Sequence, residues 1–454
     1  RTGYNPIKVS AAYFCQDAFL NQLGVSPTFN LLTSVMDDMR PENKYLHLMD
    51  EQEAITKAQA LLNRPGDANV SPLAVYRRAA KADSVQQRRP NVVLIMMESM
   101  SAKFMKHFGQ SETLTPFLDS LYTRSISFRN FYSAGIHTNH GLYATLYSFP
   151  AMMKRNLMKG SVIPRYSGLP TVLKENGYYN LFFMTHEGQY DNMNAFFRTN
   201  GYDEVFSQEN YPADKVVNSF GVQDDFLYDY AIPVLNQRAA TGQPFFATLL
   251  SISNHPPYVI PPFFHPKTSE PETQIVEYAD WALRQFFEEA RKQPWFDNTI
   301  FVLEGDHGKL VGDAECELPE SYNHIPLMIY SSRIQPEEKT AFGGQVDIQP
   351  TILGLLNIDY LQNNFGVDLL KEERPCMFYT ADNMVVGRND TLLYLYNYET
   401  QQELTYDIGN GKLNAVPMDD SFLPLKEYSF SMLQSAEFLV KHGKTLNSIP
   451  FTQQ

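Results

Sequence analysis

Hydrophobic positions change their spacing at Asn91. From there the chain carries unbroken apolar runs of strand length: "NVVLIMM", "ISFRNFY", "YYNLFFMTH", "PFFATLLSIS", "NTIFVLEGDH" and "IPLMIYSS". A run without polar alternation predicts a strand buried on both faces, as in parallel sheets. Between the runs lie segments with helical spacing, among them "TPFLDSLYTRS", "TVLKENG", "DDFLYDYAIPVLNQ", "IVEYADWALRQFFEEARKQ" and "DIQPTILGLLN". This alternation predicts an α/β domain over 89–372, with a mostly parallel central sheet and helices on both faces. Upstream, 1–88 reads as a helical arm or linker: "DEQEAITKAQALLNR" has helical spacing and "RPGDANVSPLAVYRRAAKADSVQQRRP" is a polar exit. Downstream, 373–454 reads as a small β/α subdomain of short antiparallel strands ("MVVGRNDTLLYLYNYETQQELTYDI") and a final helix ("DSFLPLKEYSFSMLQSAEFLVKH").

Composition narrows the function classes. Apolar residues at 43% and aromatics at 13% indicate a globular chain rather than a disordered one. A formal net charge of -14 speaks against nucleic acid as the partner, because phosphate backbones are met by basic faces. The three cysteines, Cys15, Cys316 and Cys376, form no CxxC; Cys316 and Cys376 could pair. The chain begins at Arg1 and so reads as a processed or truncated product. It contains neither a signal-peptide pattern nor the roughly 18 consecutive apolar residues of a membrane-spanning helix.

Candidate chemistry collects where apolar runs end. In open α/β sheets ligands sit beyond the carboxyl ends of the strands. Glu98, His186, Asn254 with His255, and Asp306 with His307 each follow such a run directly. Aspartate, glutamate and histidine together suit Mn²⁺, Zn²⁺ or Mg²⁺, and three ligands leave a position for a substrate oxygen or a hydroxyl. Thr138 offers that hydroxyl, in the polar turn "IHTNHG" that opens the apolar helix "GLYATLYSF". Free backbone N–H groups at that helix start would face a phosphate.

"NVVLIMMESMSAKFM", "LTPFLDSLYTRSISFRNFYSAGIHTNHG", "LSISNHPPY", "LEGDHG" and "VDIQPTILGLLNI" resemble, in that order, the alkaline phosphatase/sulfatase superfamily. The likeness is greatest to its lipoteichoic acid synthase branch of phosphoglycerol transferases, and it covers roughly residues 88 to 372. The resemblance implies Glu98, Thr138, Asp306 and His307 around one divalent cation, manganese in the first place, with Thr138 as nucleophile. It implies His255 as a phosphate contact and acid for the leaving group, and His186 as a second contact. It also implies a phospholipid head-group donor, a glycan or glycolipid acceptor, transmembrane helices before Arg1, and a catalytic domain on the outer face of the cell membrane.

Other candidates carry a plain alternative. His137, Asn139, Asp191 and His324 could meet the substrate, or serve only to hold turns; His140 is open in the same way. Two departures from the branch are visible. Lipoteichoic acid synthases place a Trp and a phosphate-gripping Arg after the strand that here ends in His186. This chain has "HEGQYDNMNAFF", with no arginine before Arg198. A sulfatase's CxPxR-like motif is also absent, which disfavours sulfate-ester hydrolysis. The competing functions are therefore a phosphoethanolamine transferase, a phosphodiesterase or phosphatase, and, outside enzymes, a membrane-tethered binding module.

Overall fold

The computed structural model describes residues 45–64, 67, 76–79, 89–159, 162–409 and 412–447, with 24, 26 and 28. Cys15 and most of the polar exit of the arm lie outside the described residues. The arm's helix is α1, Glu51–Leu62, and Asp50 caps it by accepting the N–H groups of Gln52 and Glu53. A short strand β1 (Tyr76–Ala79) interrupts the expected polar exit and pairs antiparallel with β10 (Tyr360–Asn363).

The core is an eight-stranded sheet in the order β5-β4-β6-β2-β7-β8-β3-β9. Its strands are β2 (Asn91–Met97), β3 (Ile126–Tyr132), β4 (Tyr179–Met184), β5 (Glu204–Phe206), β6 (Phe245–Leu250), β7 (Thr299–Gly305), β8 (Leu327–Tyr330) and β9 (Glu337–Gly344). All are parallel to their neighbours except β8, which runs antiparallel to both β7 and β3. β2 lies centrally with all seven residues buried, each large side chain contributing on the order of 1.5–3 kcal/mol. That is why it reads as a run without alternation.

Helices cover both faces. α2 (Pro116–Tyr122), α6 (Asp224–Ala239) and α7 (Pro271–Ala290) bury their apolar sides in one hydrophobic cluster with Val93, Ile95, Phe301 and Leu303. α3 (Thr138–Tyr147), α4 (Leu169–Glu175), α5 (Met193–Thr199) and α8 (Ile348–Leu355) pack in the other cluster, with Val92, Leu94 and Val302. Alternate residues of β2 and β7 thus feed opposite layers, as the two-residue period of a strand requires.

A second, antiparallel sheet follows in the order β11-β12-β13-β14-β15: Met377–Thr380, Met384–Arg388, Leu392–Asn397, Gln402–Asp407 and Asn414–Ala415. The last helix, α9 (Leu423–Lys441), is buried along most of its length. Buried Gln434 of α9 accepts the Leu48 N–H at 2.7 Å, and Arg155 and Glu437 form a buried ion pair at 2.9 Å. No helix among the described residues is long and apolar enough to cross a membrane.

Candidate active site

The carboxyl ends of β2 and β7, adjacent in the sheet, deliver two buried carboxylates, Glu98 and Asp306, and the partly buried His307. Glu98 leaves β2 in a turn in which Ser99 takes a left-handed conformation (φ 50°). That turn aims the Ser99 N–H at Asp306 Oδ1, 2.8 Å away, while the Ser99 hydroxyl donates to Glu98 Oε1 at 2.6 Å. Asp306 leaves β7 with its N–H bonded to the Met97 carbonyl, and its Oδ1 also accepts the His307 N–H. His307 Nε2 comes within 3.8 Å of Glu98 Oε1 and 3.7 Å of Asp306 Oδ2.

Side chains farther along the chain hold this corner in place. Asn254, after β6, donates to the carbonyls of both Glu98 and Ser99 at 3.1 Å. Gln345 donates to the carbonyls of Gly305 and Asp306 and accepts the Ala134 N–H, fastening the turn before α3 to the end of β7. At Gly141 the first turn of α3 comes so close that a Cβ would stand 2.3 Å from the Asp306 carbonyl oxygen. The close approach puts Thr138, the first residue of α3, beside Glu98, with Oγ1 to Oε2 at 3.4 Å.

The electrostatics of this corner call for a cation. Burial, reinforced by Asp306, pushes the Glu98 carboxyl up to about 7. At His307 burial acts downward, but the two carboxylates outweigh it and raise the imidazole. Asp306 Oδ2 is buried without a hydrogen-bond partner among the described residues. One ligand atom from each of Glu98, Asp306 and His307 lies within 4.8 Å of the other two. An unsatisfied buried carboxylate oxygen, a second carboxylate and an imidazole whose Nδ1 is engaged by the Gly308 carbonyl at 2.7 Å form a donor set that fits one divalent ion.

This corner opens into a cavity of about 720 Å³ whose wall includes Thr138 and His255. His255 sits against Phe220, ring centroids 4.0 Å apart, with Nδ1 at 2.6 Å from the Pro256 carbonyl oxygen. His137, Asn139 and Asp191 also line it. Asp382, from the turn between β11 and β12, hydrogen-bonds His137 Nε2 at 2.6 Å, so the second sheet reaches the rim. Asp191 has φ 47° in a left-handed pair with Asn192, and its carboxylate accepts from Lys159 and from Asn139. Backbone held in that region by non-glycine residues is strained, as is common beside binding sites.

Two of the expected histidines lie off the cavity wall. His186 is buried behind Tyr190, ring centroids 4.5 Å apart, and burial lowers it to about 4. His324 stacks on Tyr132, and its Nε2 lies 2.8 Å from the Arg129 carbonyl oxygen. His140 lies beneath His137 with neither ring nitrogen partnered among the described residues, and burial lowers it to about 3. Cys316 and Cys376 are both free thiols. Sequence reasoning missed Asn254 as a clamp, Gln345, Asp382 and Lys309. Asn254 had a local signal at the end of an apolar run and Lys309 one two residues past His307; Gln345 and Asp382 had none.

A mostly parallel sheet flanked by helices, with acidic and imidazole side chains at the ends of its central strands and a hydroxyl at a helix start, defines the class: the alkaline phosphatase superfamily. The sulfatase family model matches residues 90–358, more than half of the sequence, and the chain belongs to that family. Its lipoteichoic acid synthase-like character is borne out by relatives from Bacillus subtilis. Lipoteichoic acid synthase 2 is 24% identical over 62% of this chain and 47% of its own length, and lipoteichoic acid synthase 1 is 25% identical over 71% and 53%. The chain thus spans about half the length of the curated relatives it matches. Among solved structures, a protein in the alkaline phosphatase superfamily from Vibrio parahaemolyticus superposes with TM-score 0.78 at 26% identity, covering 88% of this chain and 98% of that one. The lipoteichoic acid synthase LtaP from Listeria monocytogenes shares the fold with TM-score 0.68 at 21% identity, over 78% of this chain and 93% of that one. Enzymes of this superfamily are metalloenzymes, in keeping with the donor set described.

Proposed function

We propose that the protein transfers a phosphoglycerol-type head group from a phospholipid to an alcohol on a glycan or glycolipid, through a phosphothreonine at Thr138. The observation that carries the reading is the Thr138 hydroxyl, placed at the start of α3 within 3.4 Å of Glu98 and facing the cavity. Glu98, Asp306 and His307 would hold one divalent ion, proposed as manganese. When bound, it supplies positive charge that favours the ionised hydroxyl and stabilises charge growing on the phosphoryl oxygens.

Thr138 acts as the alkoxide, its proton having passed to solvent. Its Oγ1 forms the new bond to phosphorus while the bond from phosphorus to the lipid alcohol breaks. His255, protonated, gives that leaving oxygen its proton. In the second half the acceptor hydroxyl gives its proton to His255 and attacks phosphorus; the bond to Thr138 breaks, and both residues return to their starting states. Water in the acceptor's place would give hydrolysis instead. Thr138 lies at the N-terminus of α3, whose dipole favours an anionic substrate.

A phosphoethanolamine head group is a second reading, favoured by one observation. The related synthases carry an arginine after the strand that here ends in His186; this cavity is lined instead by Asp191, which pairs with Lys159, and by Glu272, and carboxylates suit an ammonium group. In both readings the donor is a membrane lipid and the site faces the outside of the cell membrane. The test is release of diacylglycerol from fluorescent phosphatidylglycerol or phosphatidylethanolamine by the manganese-loaded protein. Wild type should release it and Thr138→Ala should not, at unchanged metal content. Full turnover by Thr138→Ala would refute the covalent route.

A further inference from the structure

Lys309 enters the cavity from the segment that follows His307. Its ammonium lies over the rings of Phe104 and Tyr258, 5.3 and 4.8 Å from their centroids. It donates to Asn254 Oδ1 at 2.6 Å and to the Tyr258 hydroxyl at 3.2 Å. An ammonium has three N–H donors, so one remains for another acceptor. Both partners are neutral, and among the described residues no carboxylate oxygen comes within the 4.0 Å of an ion pair. Lysines elsewhere in the fold, such as Lys159, Lys371 and Lys426, do form such pairs. The structure therefore keeps an ammonium without a direct ion pair, partly stripped of water by two aromatic faces, in the same cavity as Thr138.

The spare donor and the cavity it lines indicate what would complete it. Glu98 and Asp306 bring two negative charges, matched by the divalent ion that their donor set fits. Lys309 and Glu272, which line the same cavity, then offset each other in net charge, so it is the free donor of Lys309 rather than the charge total that calls for an anionic oxygen. We propose that Lys309 binds a nonbridging, anionic oxygen of the substrate's phosphoryl group. The proposal rests on the phosphoryl-transfer reading above. Asn254 gives the arrangement its precision: one amide accepts from Lys309 and donates to the Glu98 and Ser99 carbonyls, so the ammonium and the carboxylate corner share one anchor. The family resemblance gives this position no role.

The test is binding, so it does not depend on turnover. In a Thr138→Ala background loaded with manganese, calorimetry measures the affinity for bis(p-nitrophenyl) phosphate and for a neutral triester, trimethyl phosphate. Removing a charge-assisted hydrogen bond should weaken diester binding by roughly 10- to 100-fold in Lys309→Met. Lys309→Arg should restore part of it, and triester binding and manganese affinity should stay within about twofold. Diester affinity unchanged in Lys309→Met would overturn the inference while leaving the phosphoryl-transfer reading intact. Equal loss of manganese and of both esters would also overturn it, by showing that Lys309 acts only through Asn254. If the Thr138→Ala protein with Lys309 intact does not bind the diester, both the inference and the phosphoryl-transfer reading fail.

Discussion

At Asp306 one carboxylate serves two purposes through its two oxygens. Oδ1 accepts the N–H groups of Ser99 and His307 and so shapes the turn; Oδ2 is buried and unpartnered. Asp306→Asn should therefore leave the turn largely formed but cost more than about 100-fold in manganese affinity, since even outer-sphere changes cost about 10- to 100-fold. The metal-free protein should respond in the opposite sense. Removing one of two crowded buried charges relieves repulsion, so apo Asp306→Asn should melt no lower than apo wild type. A large fall in apo melting temperature, read by calorimetry, would show that Asp306 is chiefly a structural residue. The residues at the ends of β2 and β7 were legible in the sequence because each polar group interrupts an apolar run at the one place where a sheet binds ligands. His186 follows the same rule, yet lies behind Tyr190, because the direction of a side chain in the turn after a strand is set by tertiary packing. Lys309 directly follows the motif "LEGDHG", but its role depends on Phe104, Tyr258 and Asn254, which the sequence keeps far apart.

Among the elements, α2 shows how the helix layer is tied together across the sequence. Asp280, buried on α7, accepts the Phe117 and Leu118 N–H groups at 2.9 Å each and so caps α2 from another helix. Asp280→Ala would leave two buried donors unsatisfied, and chemical denaturation should register a loss of about 1–3 kcal/mol. Burial also pushes the Asp280 carboxyl up from 3.8 to about 7. An acid with a raised folded-state value binds more protons in the native than in the unfolded chain across that window. Its contribution to stability is therefore complete below about pH 4 and is lost as pH rises to about 7. Asp280→Asn should flatten that slope in pH-dependent melts, and an unchanged slope would assign it to other groups. Six strands of the central sheet and most of its helices were legible because continuous burial and helical periodicity are local signals; β5, only three residues long, carries no such run. β9, with "EEKTAFGG", was not legible either: it is an exposed edge strand at its start and lacks an apolar run. The direction of β8 was hidden too, since nothing in "IPLMIYSS" records that no helix crosses between β7 and β8.

Over the whole molecule, the elements that flank the central sheet in sequence pack on one another. α9 packs on the second sheet and on α1, and its Glu437 reaches Arg155 in the loop that follows α3. Because the pair is buried, Arg155→Met should leave a lone carboxylate and cost about 3–5 kcal/mol, whereas Arg155→Met with Glu437→Leu should recover most of that. A double variant as unstable as the single would mean that Arg155 matters for packing rather than charge. The same second sheet sends Asp382 to His137, so the sheet on which α9 packs also reaches the cavity rim. That connection spans 245 residues and could not be read from spacing along the chain. The account as a whole depends on a covalent bond at Thr138, and mass spectrometry of the peptide containing it, after acid quench of manganese-loaded protein with phosphatidylglycerol or phosphatidylethanolamine, observes that bond directly. The prediction is a glycerophosphoryl or phosphoethanolamine adduct on Thr138 that disappears when acceptor is added; an unmodified Thr138 under conditions in which diacylglycerol is released would contradict it.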